Sequence, residues 1–399
     1  MPTERSNTDS DSPAVVEVGG VTPTKQSGNP RPRVFRIASQ QGMINRYGLN
    51  SDGATLVAAR LRQRVREFAY KQGYGLDEDA ERYVLDGYAG VPPGSLVKGK
   101  LLSVQVAKND STPEGDLEAI RRDYINATSL LAKYADIIVV NVSCPNAPGY
   151  RDLQQIEPLT KILTDVVAAA ASVDRKVKVR TMVKVSPDED TEEQIASICA
   201  AVWRSGVDGV VVGNTTTARP EGTSLSKTEA LVMEEQGGYS GPQLFHRTVS
   251  LVKNYRRILD YPLHDQNISQ QRQLQPDEAT AIRIKASVRR DEQNLKEASD
   301  EPINQPLIRV PERHSSPTTG GIGSDFTSAP ALTSSQHLEQ SSTAKVPAQP
   351  ATLTSKIIFC TGGITNGQQA LEVLNAGASV AQIYTGMILS NIKALSADD

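Results

Sequence analysis

An α/β fold built as a (β/α)8 TIM barrel is the class that this 399-residue sequence predicts, and three observations carry it. Short apolar, β-branched runs recur at 15–18, 101–106, 137–142, 179–185, 210–212, 356–360 and 380–384. They are apolar throughout rather than strictly alternating, as strands of a parallel sheet covered by helices are. Helical patterns with recognisable ends lie between them, and a repeated strand-helix-strand order means a parallel fold. Polar or glycine-rich clusters follow the runs, at the strand ends where barrels keep their ligand chemistry. Seven runs fall one short of a closed barrel.

Residues 1–14 are polar and rich in Ser and Asp, and are expected to form a disordered tail. The first part of the barrel is expected over 15–260. Within it, DTEEQIASICAAVWRSG offers Asp190 as N-cap with Glu193 three residues on, an apolar stripe of Ile195, Ile198, Val202 and Trp203, and Gly206 as terminator. A further helix is expected at 242–259. From 261 to 355, Gln, Ser, Pro, Asp and Lys dominate, as in QQRQLQPDE. Such a stretch buries too little apolar area to offset its ordering entropy, so a disordered insertion is expected, with a small regulatory or partner-binding module as the alternative. It leaves from the helix-to-strand side, away from the catalytic face. The last strands occupy 356–399, where TNGQQALEVLNAG reads as a helix with Thr365 and Gln368 as capping box and Gly377 as its end.

Composition narrows the function. The chain holds 43 Lys plus Arg against 46 Asp plus Glu, so no basic field argues for nucleic acid, and small-molecule partners are expected. Cys144, Cys199 and Cys360 form no CxxC pair, which argues against a disulfide framework or a zinc site; no metal is expected. No run of eighteen apolar residues is present, and the first thirty residues resemble neither a signal peptide nor a presequence.

Several strand-end residues are candidates for chemistry, each with a plainer alternative. TGGITNG, with Gly362 and Gly363, presents glycines and an amide-rich turn at a helix start, which suits a phosphate but also suits an ordinary turn. IYTG, with Tyr384 and Thr385, and GGYSG, with Ser240 and Gly241, strengthen the phosphate reading. Lys184 is either a lysine paired with a carboxylate such as Asp188 or a fixed cation beside a bound anion. Asn141, Asn146 and Asn214 are either turn residues or amides converging on a planar ligand rich in C=O and N–H groups. Cys144, between Ser143 and Pro145 just past a strand, is the sharpest candidate, whereas Cys199 and Cys360 read as small buried hydrophobes.

The segments VEVGGVTPTKQSGNPRPRVFRI, INRYGLNS, NVSCPNAPGYRDLQ, MVKVSPD, GVDGVVVGNTT, GGYSG, TGGI and GASVAQIYT, in this order, resemble the dihydroorotate dehydrogenases, specifically the class 2, quinone-linked, mitochondrial type. The resemblance runs from about Val15 to Met387 outside the insertion, and fungal enzymes are the nearest look-alike. It implies oxidation of dihydroorotate to orotate with FMN as hydride acceptor and quinone as final acceptor, at the mitochondrial inner membrane. Cys144 then stands at the position of the base. Asn45, Asn141, Asn146, Asn214 and Thr215 match residues that hold the pyrimidine, and Asn141 also lies by the flavin. Lys184 matches the lysine at the flavin's pyrimidine edge, while Ser240, Gly241, Gly362, Gly363, Tyr384 and Thr385 match the phosphate cradle.

The chain also departs from that pattern. Class 2 enzymes typically carry serine where Cys144 stands, and cysteine is typical of the soluble class 1A enzymes. Leu49 replaces a usual Phe, Ala147 a usual Thr, Gln105 an Asn and Gly20 a Ser. A thiol, with a free pKa of about 8.5, supplies far more anion at neutral pH than a hydroxyl, so cysteine is a chemically permissive base. Against the family pattern the barrel is expected to be incomplete, without its first strand and last helix, with two exposed sheet edges and a weak hold on FMN. Two alternatives follow: an inactive truncated remnant or incomplete gene model, and a class 1-like soluble dihydroorotate oxidoreductase.

Overall fold

The computed structural model describes residues 13–143, 152–221, 224–260 and 355–388. Cys144, Asn146 and Ala147, nearly all of the expected 1–14 tail and nearly all of the 261–355 insertion lie outside them.

In chain order the elements are β1 (Val15–Val21), β2 (Val34–Ile37), β3 (Gly42–Asn45), α1 (Ala54–Lys71), α2 (Glu78–Leu85), β4 (Leu101–Val106), α3 (Leu117–Leu131), β5 (Ile137–Asn141), α4 (Ile156–Ser172), β6 (Arg180–Val185), α5 (Glu192–Ser205), β7 (Gly209–Val212), α6 (Lys227–Met233), β8 (Gly238–Ser240), α7 (Phe245–Asp260), β9 (Ile357–Thr361), α8 (Gly367–Asn375) and β10 (Val380–Gln382). All seven expected strands form, and they make one sheet in the order β1-β4-β5-β6-β7-β9-β10, every pair parallel. The sheet is an incomplete (β/α) barrel: β1 and β10 each pair on one side within the described residues. It curls far enough that side chains of its two end strands meet, Gln382 Nε2 donating to Glu17 at 3.1 Å.

Successive side chains of a strand point to opposite faces, and here the two faces differ in chemistry. Outward, Leu102, Val104, Ile138, Val140, Val183, Val210, Val212, Ile358 and Cys360 pack beneath the helices in the main core. Inward, Ile137, Val139, Met182, Val211 and Phe359, with Val15, Ile357 and Val380, fill the lower part of the barrel. One pleat closer to the C-terminal ends, the same inward faces carry Glu17, Gln105, Asn141, Lys184 and Gln382, linked to one another by hydrogen bonds and an ion pair. The apolar runs therefore end in a polar layer, and that layer is the floor of the cavity described below.

Helix ends refine the expected caps. Thr191, not Asp190, caps α5, and its partner in the reciprocal box is Gln194 rather than Glu193. Asn366, not Thr365, caps α8, accepting from Gln369 N–H at 2.9 Å, while Thr365 N–H and Oγ1 both turn to Gln369 Oε1. Gly206 ends α5 as expected, in the left-handed region with φ 79°. The helix expected at 242–259 begins as a 3-10 turn, Pro242–Leu244, before α7 proper.

Sequence reading missed a second sheet. β2, β3 and β8 form a three-stranded antiparallel sheet in that order, with Met43 opposite Ser240 and Asn45 opposite Gly238. Ile37, Ile44, Tyr239 and Leu244 make its own small core. It joins a segment near the start of the chain to one near residue 240 and brings Asn45 and Ser240 to the mouth of the barrel.

Candidate functional site

A cavity of about 610 Å³ opens at the C-terminal ends of the barrel strands. That volume lies within the roughly 300–1,000 Å³ usual for small-molecule sites. Asn45, Asn141, Lys184, Asn214 and Thr215 line one part of it. Ser240, Gly241, Gly362, Gly363, Tyr384 and Thr385 line another. All the candidate residues among the described ones thus converge on a single cavity. Cys144 and Asn146, in the segment after β5, lie outside the described residues.

The amides show why turn and ligand roles need not compete. Asn141 is buried at the end of β5, and its Oδ1 accepts from Ser143 N–H (3.0 Å) and Ser143 Oγ (3.2 Å), which fixes the backbone just past the strand. Its Nδ2 donates to Gln105 Oε1 at 2.8 Å. Asn214 Oδ1 likewise accepts from Thr215 N–H (2.9 Å), and its Nδ2 reaches Ser143 Oγ at 2.8 Å and Ser143 O at 3.1 Å. A continuous chain of hydrogen bonds, Glu17–Gln105–Asn141–Ser143–Asn214, thereby runs across the cavity floor and fixes each amide's orientation.

Lys184 is the register partner of Asn141 on the neighbouring strand. Its expected partner, Asp188, is engaged elsewhere: its carboxylate accepts from Thr216 Oγ1, from Thr217 N–H and Oγ1, and pairs with Arg247. Lys184 Nζ instead lies 3.5 Å from Glu17 Oε1. The reason is parity: Asp188 lies beyond the end of β6, whereas Glu17 faces inward across the barrel.

At the other end of the cavity the starts of two helices meet. Gly241, Pro242 and Leu244 precede α7, and Gly362 through Asn366 precede α8. The glycines there have no substitute: a Cβ at Gly363 (φ +72°) would sit 2.4 Å from the backbone nitrogen of Phe245, and one at Gly362 (φ +134°) 2.6 Å from Thr248 Oγ1. Two hydroxyls complete this corner, Thr385 Oγ1 donating to Ser240 Oγ at 2.9 Å. Glycine turns at two helix starts, with the helix dipoles and two hydroxyls, make a donor set that could hold an anion such as a phosphate. Tyr384, 64% exposed, also lines the cavity, and partial desolvation raises its phenol pKa.

Three of the unusual residues occupy one corner. A Cβ at Gly20 would lie 3.1 Å from Leu49 Cδ2 and 3.5 Å from Gln105 Oε1, so any larger side chain at 20 would press on Leu49. Gly20, Leu49 and Gln105 therefore depart from the family pattern as a packed group. Glu17 and Gln382 were not among the candidates. Glu17 takes the inward parity of β1 between the exposed Val16 and Val18, an orientation that an alternating stretch does not reveal in sequence.

These features define a class: a parallel α/β barrel protein with a small-molecule cavity at its C-terminal mouth, lined by amides and one lysine, with an anion cradle at one end. A sequence model of the dihydroorotate dehydrogenase family matches residues 3–263 and 302–397. The chain belongs to that family. Its curated relatives include the mitochondrial dihydroorotate dehydrogenases (quinone) of Schizosaccharomyces pombe, 35% identical over 254 residues (62% of this chain, 54% of the relative), and of Kluyveromyces lactis, 38% identical over 237 residues (57% and 48%). The dihydroorotate dehydrogenase (quinone) of a Nocardioides species is 35% identical over 243 residues (60% of each chain). This chain spans about half the length of the fungal relatives it matches. Among solved structures, that of DHODH from Eimeria tenella with ferulenol has the same fold, with a TM-score of 0.58 at 22% identity over 94% of this chain and 70% of that one.

Proposed function

We propose that the cavity is the FMN and dihydroorotate site of a dihydroorotate dehydrogenase that passes electrons to a quinone, in the mitochondrion at the inner membrane. The observation that carries this is the convergence of the strand-end amides, Lys184 and the glycine-hydroxyl cradle on one cavity at the barrel mouth. FMN, when bound, supplies the acceptor for the hydride leaving C6 of dihydroorotate. The cradle of Ser240, Gly241, Gly362, Gly363 and Thr385 would hold its phosphate, with Tyr384 beside it, and Lys184 its pyrimidine edge. Asn45, Asn141, Asn146, Asn214 and Thr215 would hold the substrate, whose amide groups match side chains already fixed in orientation by the hydrogen-bond chain. Cys144, which follows Ser143 in the chain, would take the C5 proton.

The test is anaerobic mixing of the FMN-saturated chain with dihydroorotate. Loss of the oxidised flavin's visible absorbance, abolished by Cys144→Ala and retained with an altered pH profile by Cys144→Ser, is the expected result. A chain that binds no FMN, or whose flavin dihydroorotate leaves oxidised, overturns the reading. Because cysteine at the base position is typical of soluble class 1A enzymes, the acceptor is tested in the same preparation: reoxidation by a quinone analogue faster than by fumarate is expected.

A further inference from the structure

One carboxylate joins three walls of the cavity without lining it. Glu17 Oε1 accepts from Gln105 Nε2 at 2.7 Å and lies 3.5 Å from Lys184 Nζ; Glu17 Oε2 accepts from Gln382 Nε2 at 3.1 Å. Gln105, Lys184 and Gln382 line the cavity, each from a different strand, whereas Glu17 lies behind them with its side chain 17% exposed. Both carboxylate oxygens are thus engaged, and these three partners all face the ligand space.

We infer that Glu17 is a positioning residue for the ligand site: it holds the Lys184 ammonium and the two amides in place and sets how much of the lysine's charge a bound anion experiences. The inference rests on reading the cavity as a flavin site. A paired Lys184 presents a dipole rather than a bare cation, because a carboxylate at contact distance cancels most of its field in a partly buried setting. The pairing also removes freedom from a long, flexible side chain that would otherwise choose among rotamers. Gln105 couples this anchor to Asn141, so the carboxylate sets the orientation of an amide as well as a charge. Glu17 also bridges β1 to β10, the two end strands of the open sheet, and so fixes the height at which the floor of the cavity sits.

Glu17→Gln keeps the size of the side chain and removes its charge. Lys184 is then uncompensated, and the negatively charged reduced flavin gains over the oxidised form. The expected result is a roughly tenfold rise in the affinity ratio of reduced to oxidised FMN, read as a midpoint potential about 30 mV higher for the two-electron couple. In a Lys184→Met background the same exchange is expected to move the potential by much less, since the effect runs through the lysine. An unchanged potential in Glu17→Gln, or an equal rise without Lys184, overturns the inference.

A second measurement needs no flavin. Acylation of Lys184 in the flavin-free chain, followed by mass spectrometry against the exposed Lys178 as internal reference, is expected to be several-fold faster in Glu17→Gln, because acylation needs an amine not held by a carboxylate. Equal Lys184 labelling in the two proteins overturns the pairing. If the unaltered chain binds no FMN, the flavin reading of the cavity falls, and the labelling result alone decides whether Glu17 positions Lys184.

Discussion

Cys199, on α5, and Cys360, on β9, lie in the core between helices and barrel wall, 2% and 0% exposed. Burial away from water raises both thiols to about 12, so neither offers an appreciable thiolate at neutral pH. The role that the sequence suggested for them, small hydrophobes, follows from that environment. Their inertness makes the third cysteine testable by elimination. With a thiol reagent at about pH 8, where an ordinary cysteine is substantially ionised, the folded chain is expected to react at Cys144 and to spare the other two. All three should react once the chain is unfolded. Peptide mapping checks this, and rapid labelling of Cys199 or Cys360 in the folded protein would contradict the packing described. The corner formed by Gly20, Leu49 and Gln105 carries a related lesson about single residues. Each looks like an isolated departure in the sequence, yet Leu49 occupies space that a larger residue at 20 would need, and only distance in three dimensions reveals it.

At the scale of elements, Asp136 shows how loops are tied to the sheet. It stands just before β5, is 6% exposed, and accepts backbone N–H bonds from Gly94 (2.9 Å), Ser95 (2.8 Å) and Leu102 (2.8 Å). One carboxylate thus fixes both the 94–95 turn and the first residues of β4. Asp136→Ala leaves these buried donors without an acceptor, and a loss of stability on the order of 3 kcal/mol is expected from the desolvation of unpaired backbone groups. Urea denaturation measures it; a loss under about 0.5 kcal/mol, the size of an ordinary surface change, would refute the role. The seven barrel strands were legible because each is a compact apolar run. The small antiparallel sheet was not, because β2, β3 and β8 hold only 4, 4 and 3 residues and β3 pairs with β8 across nearly 200 positions. VFRI and GMIN carry too few residues for a period of two to be distinguished from chance. The candidate ligand residues were legible through their motifs, whereas Glu17 and Gln382 were not, since nothing local shows that their side chains meet across the barrel.

For the molecule as a whole, the consequence of an open sheet is that its two end strands are tied to each other by side chains and not by a backbone ladder among the described residues. Among the described residues β1 and β10 share no ladder, and the Glu17–Gln382 hydrogen bond is what spans them. Other parts of the cavity come from far apart in the chain: Asn45 from the small sheet, Asn214 after β7, and Thr385 beyond β10. A ligand that touches all of these at once binds the folded chain and finds no site in the unfolded one. FMN is therefore expected to stabilise the protein by mass action, by about 2.7 kcal/mol at a hundredfold excess over its Kd. For a chain of this size that corresponds to a rise in Tm of roughly 3–5 °C. Hydrogen exchange should slow most in the strand-end turns at 240–244 and 361–366, which meet the anion cradle, and change least in α1 and α2 on the outer face. Inorganic phosphate at high concentration should reproduce the protection of those turns without that of the amide floor around Asn141 and Asn214. A flat melting temperature across an FMN titration that saturates by flavin fluorescence, or protection confined to residues outside the cavity, would place FMN somewhere other than this mouth.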